Sequence, residues 1–426
     1  MVVKFRDKIF IMIERSILAK LQAALKDTPA IILHGARQTG KTTLVKELTD
    51  GVGGRKYEFF NLDELETRSL AIRDPAGFVG GLPERVILDE IQLAPDTFRA
   101  IKQSIDENRK PGRFVLTGSA NALLIPKLAD ALVGRVELHT LYPLSQSEIE
   151  GTSGRFIDLA FQEGFKSISG RRFPFTKTDL IKRIVGGGFP EVVSRRRNGR
   201  RSEWFNGYVN TIIQRDIRDL AEIEGLSMMP RALGMLAARI ANLSNLSELS
   251  RTLGLPQTTL KRYLALFDAT FLTQTVQAWS GNLSKRLAKA SKIMMTDTGL
   301  LCHLMGVDEA RLNQDPYLLG PVLENFVFGE IKKQSTWAQT SVQMMHFRTH
   351  ADQEVDLVLE RRDGSLFGIE VKSTAAPTSR DFVGLELLKQ ELGSRFAGGV
   401  LLCLGQQVLP VSDRIYAAPV SLLWQV

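Results

Sequence analysis

The stretch Gly35-Ala36-Arg37-Gln38-Thr39-Gly40-Lys41-Thr42 follows an apolar run, Ala30 to Leu33, and precedes a helix-forming run, Thr43 to Leu48. It fits G-x-x-x-x-G-K-S/T, which forces a strand to turn into a helix through a loop with glycine at both ends. Glycines let the backbone wrap closely round an anion, and the free N–H groups at the start of the helix point at it. A lysine at this place neutralises β and γ phosphate oxygens, and the hydroxyl after it ligates Mg²⁺. The expected cradle for ATP with Mg²⁺ is therefore Gly35, Ala36, Arg37, Gln38, Thr39, Gly40, Lys41, Thr42 and Thr43, with Lys41 also acting in catalysis and Thr42 on the metal.

From Ala30 to about Leu144 short apolar runs (AIILHG, KYEFFNLDE, RVILDE, RFVLTGS, RVELHTL) alternate with helical stretches, the rhythm of a parallel α/β sheet. The run Val86-Ile87-Leu88 ends in Asp89 and Glu90. Asp89 is expected to hold Mg²⁺ through water, and Glu90 to orient and deprotonate the attacking water. A further strand, Phe114 to Leu116, leads into Thr117-Gly118-Ser119-Ala120-Asn121. Ser119, Thr117 and Asn121 compete there for a polar contact to the γ-phosphate, and the same stretch also reads as a helix N-cap before Ala122. Arg135 opens the next strand and is placed like an arginine that stabilises phosphate charge in cis or across a subunit interface, with a plain surface arginine as the alternative.

The motifs GARQTGKT, VILDEIQ, FVLTGSAN, LVGRVELHTLYPLSQSE and GGFPE stand in the order found in the AAA+-like prokaryotic ATPases with a C-terminal DUF4143-type region, and the chain resembles that family over nearly its whole length. The resemblance implies ATP chemistry and leaves the physiological task open. The 426 residues suffice for several cores. The expected division is an α/β P-loop module over 1–150, a helical region over 151–243, a winged-helix region over 244–300 and a restriction-endonuclease-like α/β domain over 301–426. Cys302 and Cys403 lie far apart in apolar surroundings, so neither a disulfide framework nor a zinc site follows from them. No apolar run approaches the roughly 20 residues needed to cross a bilayer, which points to a cytoplasmic protein with no membrane contact.

The formal charge of +8 fits a polyanion partner without requiring one. It gathers at Arg171 and Arg172, at Arg195, Arg196, Arg197, Arg200 and Arg201, and at Lys285, Arg286, Lys289 and Lys292. Between Leu246 and Phe267, two short helices about a turn at Gly254 look like a winged helix. The second is expected to begin near Pro256 and to expose Gln257, Thr258, Lys261 and Arg262 to DNA, with the Lys285 to Lys292 cluster as a basic wing. The same residues also read as a solvated face.

Farther on, a helix at PVLENFVFGEIKKQ and strands at EVDLVLE, SLFGIEVKS and GGVLLCLG return to mixed α/β. Strand alternation puts Glu370 and Lys372 on one face within reach of Asp356, and Glu324 supplies a third acid. This set resembles the PD-(D/E)xK nuclease core, which implies a metal-dependent cleavage site or its inactive remnant. The functions in view are a DNA-coupled ATPase, an ATP-gated nuclease and a nucleotide switch that docks a partner protein. An arginine acting across an interface would add an oligomer.

Overall fold

The computed structural model describes the chain apart from residues 1, 6, 7, 12, 50–55, 120–133, 196, 197, 219–224, 243, 244, 282–285, 287–289 and 350–352. An N-terminal hairpin, β1 (Val2–Phe5) and β2 (Lys8–Ile11), precedes the first helix, Leu18–Ala24. Five strands follow: β3 (Ala30–Gly35), β4 (Glu58–Asn61), β5 (Val86–Asp89), β6 (Phe114–Ser119) and β7 (Val136–Thr140). They form one parallel sheet in the order β4-β5-β6-β3-β7. Its inner strands are buried on both faces, which is why they read as continuous apolar runs rather than as alternation. Helix Thr97–Glu107 buries Phe98, Ile101 and Ile105, the i, i+3, i+7 stripe of an amphipathic helix, in the core with Leu88 and Leu116. Each such side chain stabilises the fold by about 1.5–3 kcal/mol.

This order puts β3 beside β6, so that the loop after β3, the acids at the end of β5 and the polar end of β6 all open at the carboxyl edge of the sheet. A crevice outside that edge is where open α/β sheets place ligands.

Helices dominate from Gln146 to Ala269, including Lys177–Gly186, Asn198–Thr211 with a π-helical continuation Ile212–Ile217, and Met229–Ala237. The pair Leu246–Leu253 and Gln257–Ala269 turns at Gly254, whose φ of +68° is the left-handed conformation a glycine C-cap supplies. Pro256 is the N-cap of the second helix rather than its first residue. A two-stranded antiparallel sheet follows, β8 (Thr273–Val276) with β9 (Lys292–Met295).

The last part holds a six-stranded sheet: β10 (Val342–Arg348), β11 (Glu354–Arg361), β12 (Leu366–Val371), β13 (Phe396–Cys403), β14 (Leu409–Ser412) and β15 (Ile415–Pro419), ordered β10-β11-β12-β13-β15-β14. The β12-β13-β15 portion is parallel and the flanking pairs are antiparallel.

One apolar core runs from Phe156 in the helical region through Leu260 and Phe267 of the helix pair to Trp424. Helix Pro316–Gln334 ties these parts together through buried polar side chains. Asn325 accepts from the Met295 N–H at 2.7 Å, Gln334 accepts from the Phe156 N–H at 3.0 Å, and Glu330 accepts from the Gln146 N–H at 2.7 Å. A buried side chain that satisfies a distant backbone group fixes register as well as contact. Among the described residues, no helix is long and apolar enough to cross a membrane.

Candidate functional site

The loop after β3 has the backbone its sequence demands. Gly35 (φ +152°) and Gly40 (φ +93°) occupy conformations closed to residues with a Cβ, and a Cβ on Gly35 would collide with the Leu141 carbonyl. The Lys41 ammonium folds back onto the Gly35 and Ala36 carbonyls at 3.0 and 2.9 Å. Burial lowers the Lys41 pKa to about 8, although Glu90 and Asp89 pull it the other way. Behind the loop, the Arg15 guanidinium donates to the carbonyls of Thr39 (2.8 Å) and Tyr142 (2.7 Å) and pairs with Glu148 at 3.0 Å. Arg15 therefore sets the height of the loop, and no sequence pattern marks it, because its partners are mainly backbone oxygens.

The acids at the end of β5 are held by hydroxyls. Thr42 donates to Asp89 Oδ2 at 2.8 Å, and Thr117 donates to the other Asp89 oxygen while accepting the Glu90 N–H at 3.2 Å. A threonine hydroxyl beside a carboxylate is a hard-oxygen pair of the kind Mg²⁺ prefers, so Thr42 and Asp89 fit that ion. Glu90 stands in the left-handed region (φ 57°, ψ 44°), a conformation that costs a non-glycine residue of order 1–3 kcal/mol and clusters at functional sites. Its carboxylate accepts from Gln92 Nε2, which also donates to Ser119 Oγ at 2.9 Å. Thr117 thus touches both acids directly, Ser119 is joined to Glu90 only through Gln92, and Asn121 lies outside the described residues.

Ala36 and Thr39 are buried, Gln38 and Thr43 are exposed, and Arg37 leans away from the loop to pair with Asp216 at 3.0 Å. Asp216 belongs to the π-helical turn Ile212–Ile217, so a residue of the phosphate loop is tied directly to the helical region. Arg135 is not brought to this cleft. It precedes β7 at the amino end of the sheet and pairs with Asp106, whereas the loop lies past the carboxyl end of the neighbouring β3. Six residues of strand at ~3.3 Å each separate those two edges, and a guanidinium cannot span them, so a role for Arg135 in cis is corrected.

On the second helix of the pair, Gln257, Thr258, Lys261 and Arg262 are exposed, while Leu260, Tyr263 and Phe267 turn inward. The basic wing is also corrected. Lys292 is 2% exposed and bonded to acids, Arg286 pairs with Glu360 at 2.7 Å, and the chain after β8 is pinned to β10 by Ala278 and Trp279 against His346. Lys285 and Lys289 lie outside the described residues.

In the C-terminal sheet, the antiparallel register that pairs Leu357 with Ile369 sets Asp356 beside Glu370. Asp356 accepts the Val371 N–H at 2.9 Å, and Lys372 donates to Glu370 at 2.7 Å. Glu324, from helix Pro316–Gln334, and Asp356 both bind Lys292, at 2.8 and 3.5 Å. The structure therefore brings Glu324, Asp356, Glu370 and Lys372 together around a further lysine. Burial and then the Asp356 charge push the Glu370 carboxyl up to about 8, and burial pushes Glu324 well above the usual carboxylate range. Burial alone would lower the Lys292 pKa, but Glu324 and Asp356 outweigh it and hold it above the ordinary lysine value. Cys302 and Cys403 are both buried thiols.

An AAA domain model matches residues 27–150, and models of two domains of unknown function match residues 177–311 (DUF8612) and 319–423 (DUF4143). Proteins of Mycobacterium tuberculosis and Mycobacterium bovis, both described only as uncharacterized, are 30% identical over 406 residues, covering 95% of this chain and 83% of theirs. A Haemophilus influenzae protein with the same description is 24% identical over 75% of this chain and 78% of its own. Among solved structures, AMPPCP-bound DnaA from Aquifex aeolicus matches 60% of this chain and 88% of its own at 16% identity (TM-score 0.27). A Thermotoga maritima RuvB variant matches 61% and 88% at 17% identity (TM-score 0.29). The fold and the matching domain define a nucleotide-binding ATPase of the AAA+ class. The chain belongs to the prokaryotic family that joins such an N-terminal module to a C-terminal DUF4143 region.

Proposed function

We propose that the chain hydrolyses ATP with Mg²⁺ and transmits its nucleotide state to a DNA-contacting helix pair. The observation that carries this reading is the Arg37–Asp216 ion pair, because a phosphate-loop residue gripped by the helical region makes the two respond to one ligand. The loop N–H groups and Lys41 would bind the phosphates, with Thr42 and Asp89 holding the metal. Mg²⁺, when bound, offsets charge on the phosphate oxygens. Glu90 would take the proton of the attacking water, with Gln92 fixing its carboxylate and Ser119 within the same hydrogen-bond chain. Arg135 would act only across a subunit interface, in an oligomer.

Thr258, Lys261 and Arg262 would meet phosphates and base edges from the exposed helix face. The test is ATP turnover with and without double-stranded DNA in wild type and in the Lys261→Glu, Arg262→Glu double variant. Stimulation by DNA is expected in wild type, weakening steeply with salt, and is expected to disappear in the double variant at unchanged basal turnover. Turnover and nucleotide affinity indifferent to any DNA would refute the coupling.

A second reading, a nucleotide switch that docks a partner protein and carries an inactive nuclease-like domain, is favoured by one observation. Lys292 already neutralises acids that a nuclease would give to a metal. Binding of a partner that is insensitive to salt would separate this reading from the first.

A further inference from the structure

Lys292 opens a strand whose four residues are all buried, yet it carries a charge into that interior. Its ammonium lies 2.8 Å from Glu324 Oε1 and 3.5 Å from Asp356 Oδ1, bridging a helix and the C-terminal sheet. Beside them Glu370, 5% exposed, spends one oxygen on Lys372 and leaves Oε2 buried with no hydrogen-bond partner. Three carboxyl groups, those of Glu324, Asp356 and Glu370, meet two ammoniums, those of Lys292 and Lys372, and the raised Glu370 carboxyl holds its proton at neutral pH. Burying carboxylates in this way is strongly unfavourable unless a cation sits among them.

Mg²⁺ draws carboxylate oxygens to about 2.0–2.1 Å, whereas an ammonium holds them at hydrogen-bond distance, as seen for Glu324. With Lys292 in place, no group of three or more acidic, histidine or cysteine side chains that could hold a metal ion is found among the described residues.

We propose that Lys292 is the resident cation of the C-terminal acid cluster: its tethered ammonium stands where Glu324 and Asp356 converge, fastens the β8–β9 hairpin to the C-terminal sheet, and keeps divalent metal out. Taking the ammonium away turns Glu324, Asp356 and Glu370 into a Mg²⁺ or Mn²⁺ site. This rests on neither ATP turnover nor DNA binding, so it stands or falls separately from the functions proposed above.

The experiment titrates Mn²⁺ into the full chain carrying Thr42→Ala and Asp89→Asn, which remove the nucleotide-site metal ligands. With Lys292 intact, no binding dependent on Glu370 is expected. Adding Lys292→Gln should create one site, tightening Mn²⁺ binding at least about tenfold and raising the melting temperature with added Mn²⁺, and a further Glu370→Gln should abolish both effects. Failure of a folded Lys292→Gln chain to gain Mn²⁺ would overturn the proposal. Should Lys292→Gln not fold, the chain with Lys292 decides: Mn²⁺ binding that Glu370→Gln removes refutes it, and no such binding upholds the exclusion of metal.

Discussion

Lys41 and Lys292 are both almost wholly buried beside paired acids, and they are held in opposite ways. Lys41 bonds two backbone carbonyls, while hydroxyls and an amide occupy its neighbouring acids. Lys292 bonds the carboxylates themselves. An ammonium held by neutral carbonyls gains when an anionic ligand replaces them, whereas one held by carboxylates has little to gain from any ligand. The first arrangement suits a site that exchanges its occupant, and the second suits a joint.

The largest difference should appear on deleting each ammonium. Lys292→Ala leaves buried carboxylates uncompensated and is expected to destabilise the chain by about 3–5 kcal/mol, read by denaturant unfolding, with nucleotide affinity of the remaining folded protein unchanged. A loss below about 1 kcal/mol would mean that the ion pairs are incidental.

The pH dependence should then have opposite signs at the two sites. The Lys41 pKa in the folded chain is about 8, below the ordinary lysine value of 10.5, so the folded chain releases that proton first and stability rises between those values. The folded value of Lys292 is raised, so its stabilisation is complete below the unfolded pKa and is lost only as pH climbs through the folded one. Nucleotide affinity should weaken above pH of about 8 by up to about tenfold per unit, because phosphate requires the ammonium form of Lys41. A flat affinity profile from pH 7 to 9.5 would place the Lys41 pKa elsewhere.

Smallest of all is the effect expected at Arg135. Its pairing with Asp106 at the far edge of the sheet predicts that Arg135→Ala changes turnover of a monomer by less than about twofold. A fall of about a thousandfold, restored by mixing with a chain inactive through Lys41→Ala, would show that it reaches a neighbouring subunit.

What the sequence disclosed and what it hid divide along the same physical line. The N-terminal strands and loop were legible because their signals are local: an apolar run, glycines at fixed spacing, acids at a strand end. The helix pair was legible from its apolar stripe and Gly254. Lys292 was not, since every residue of its strand is buried and no alternation shows which way it faces, and its partners lie 32 and 64 residues away. Asp216 is 179 residues from Arg37, and Arg15 grips backbone oxygens, which have no letter in a sequence. Arg135 misled because closeness to a motif along the chain says nothing about which end of a strand a residue occupies.

The account depends most on the exchangeable site being catalytic, and the direct measurement is ATP turnover and ATP affinity in wild type and Glu90→Gln prepared together. Turnover reduced by about 10²–10⁴-fold with affinity kept within a few-fold is the predicted result. Unchanged turnover would contradict it and remove Glu90, with its hydroxyl and amide supports, from the chemistry.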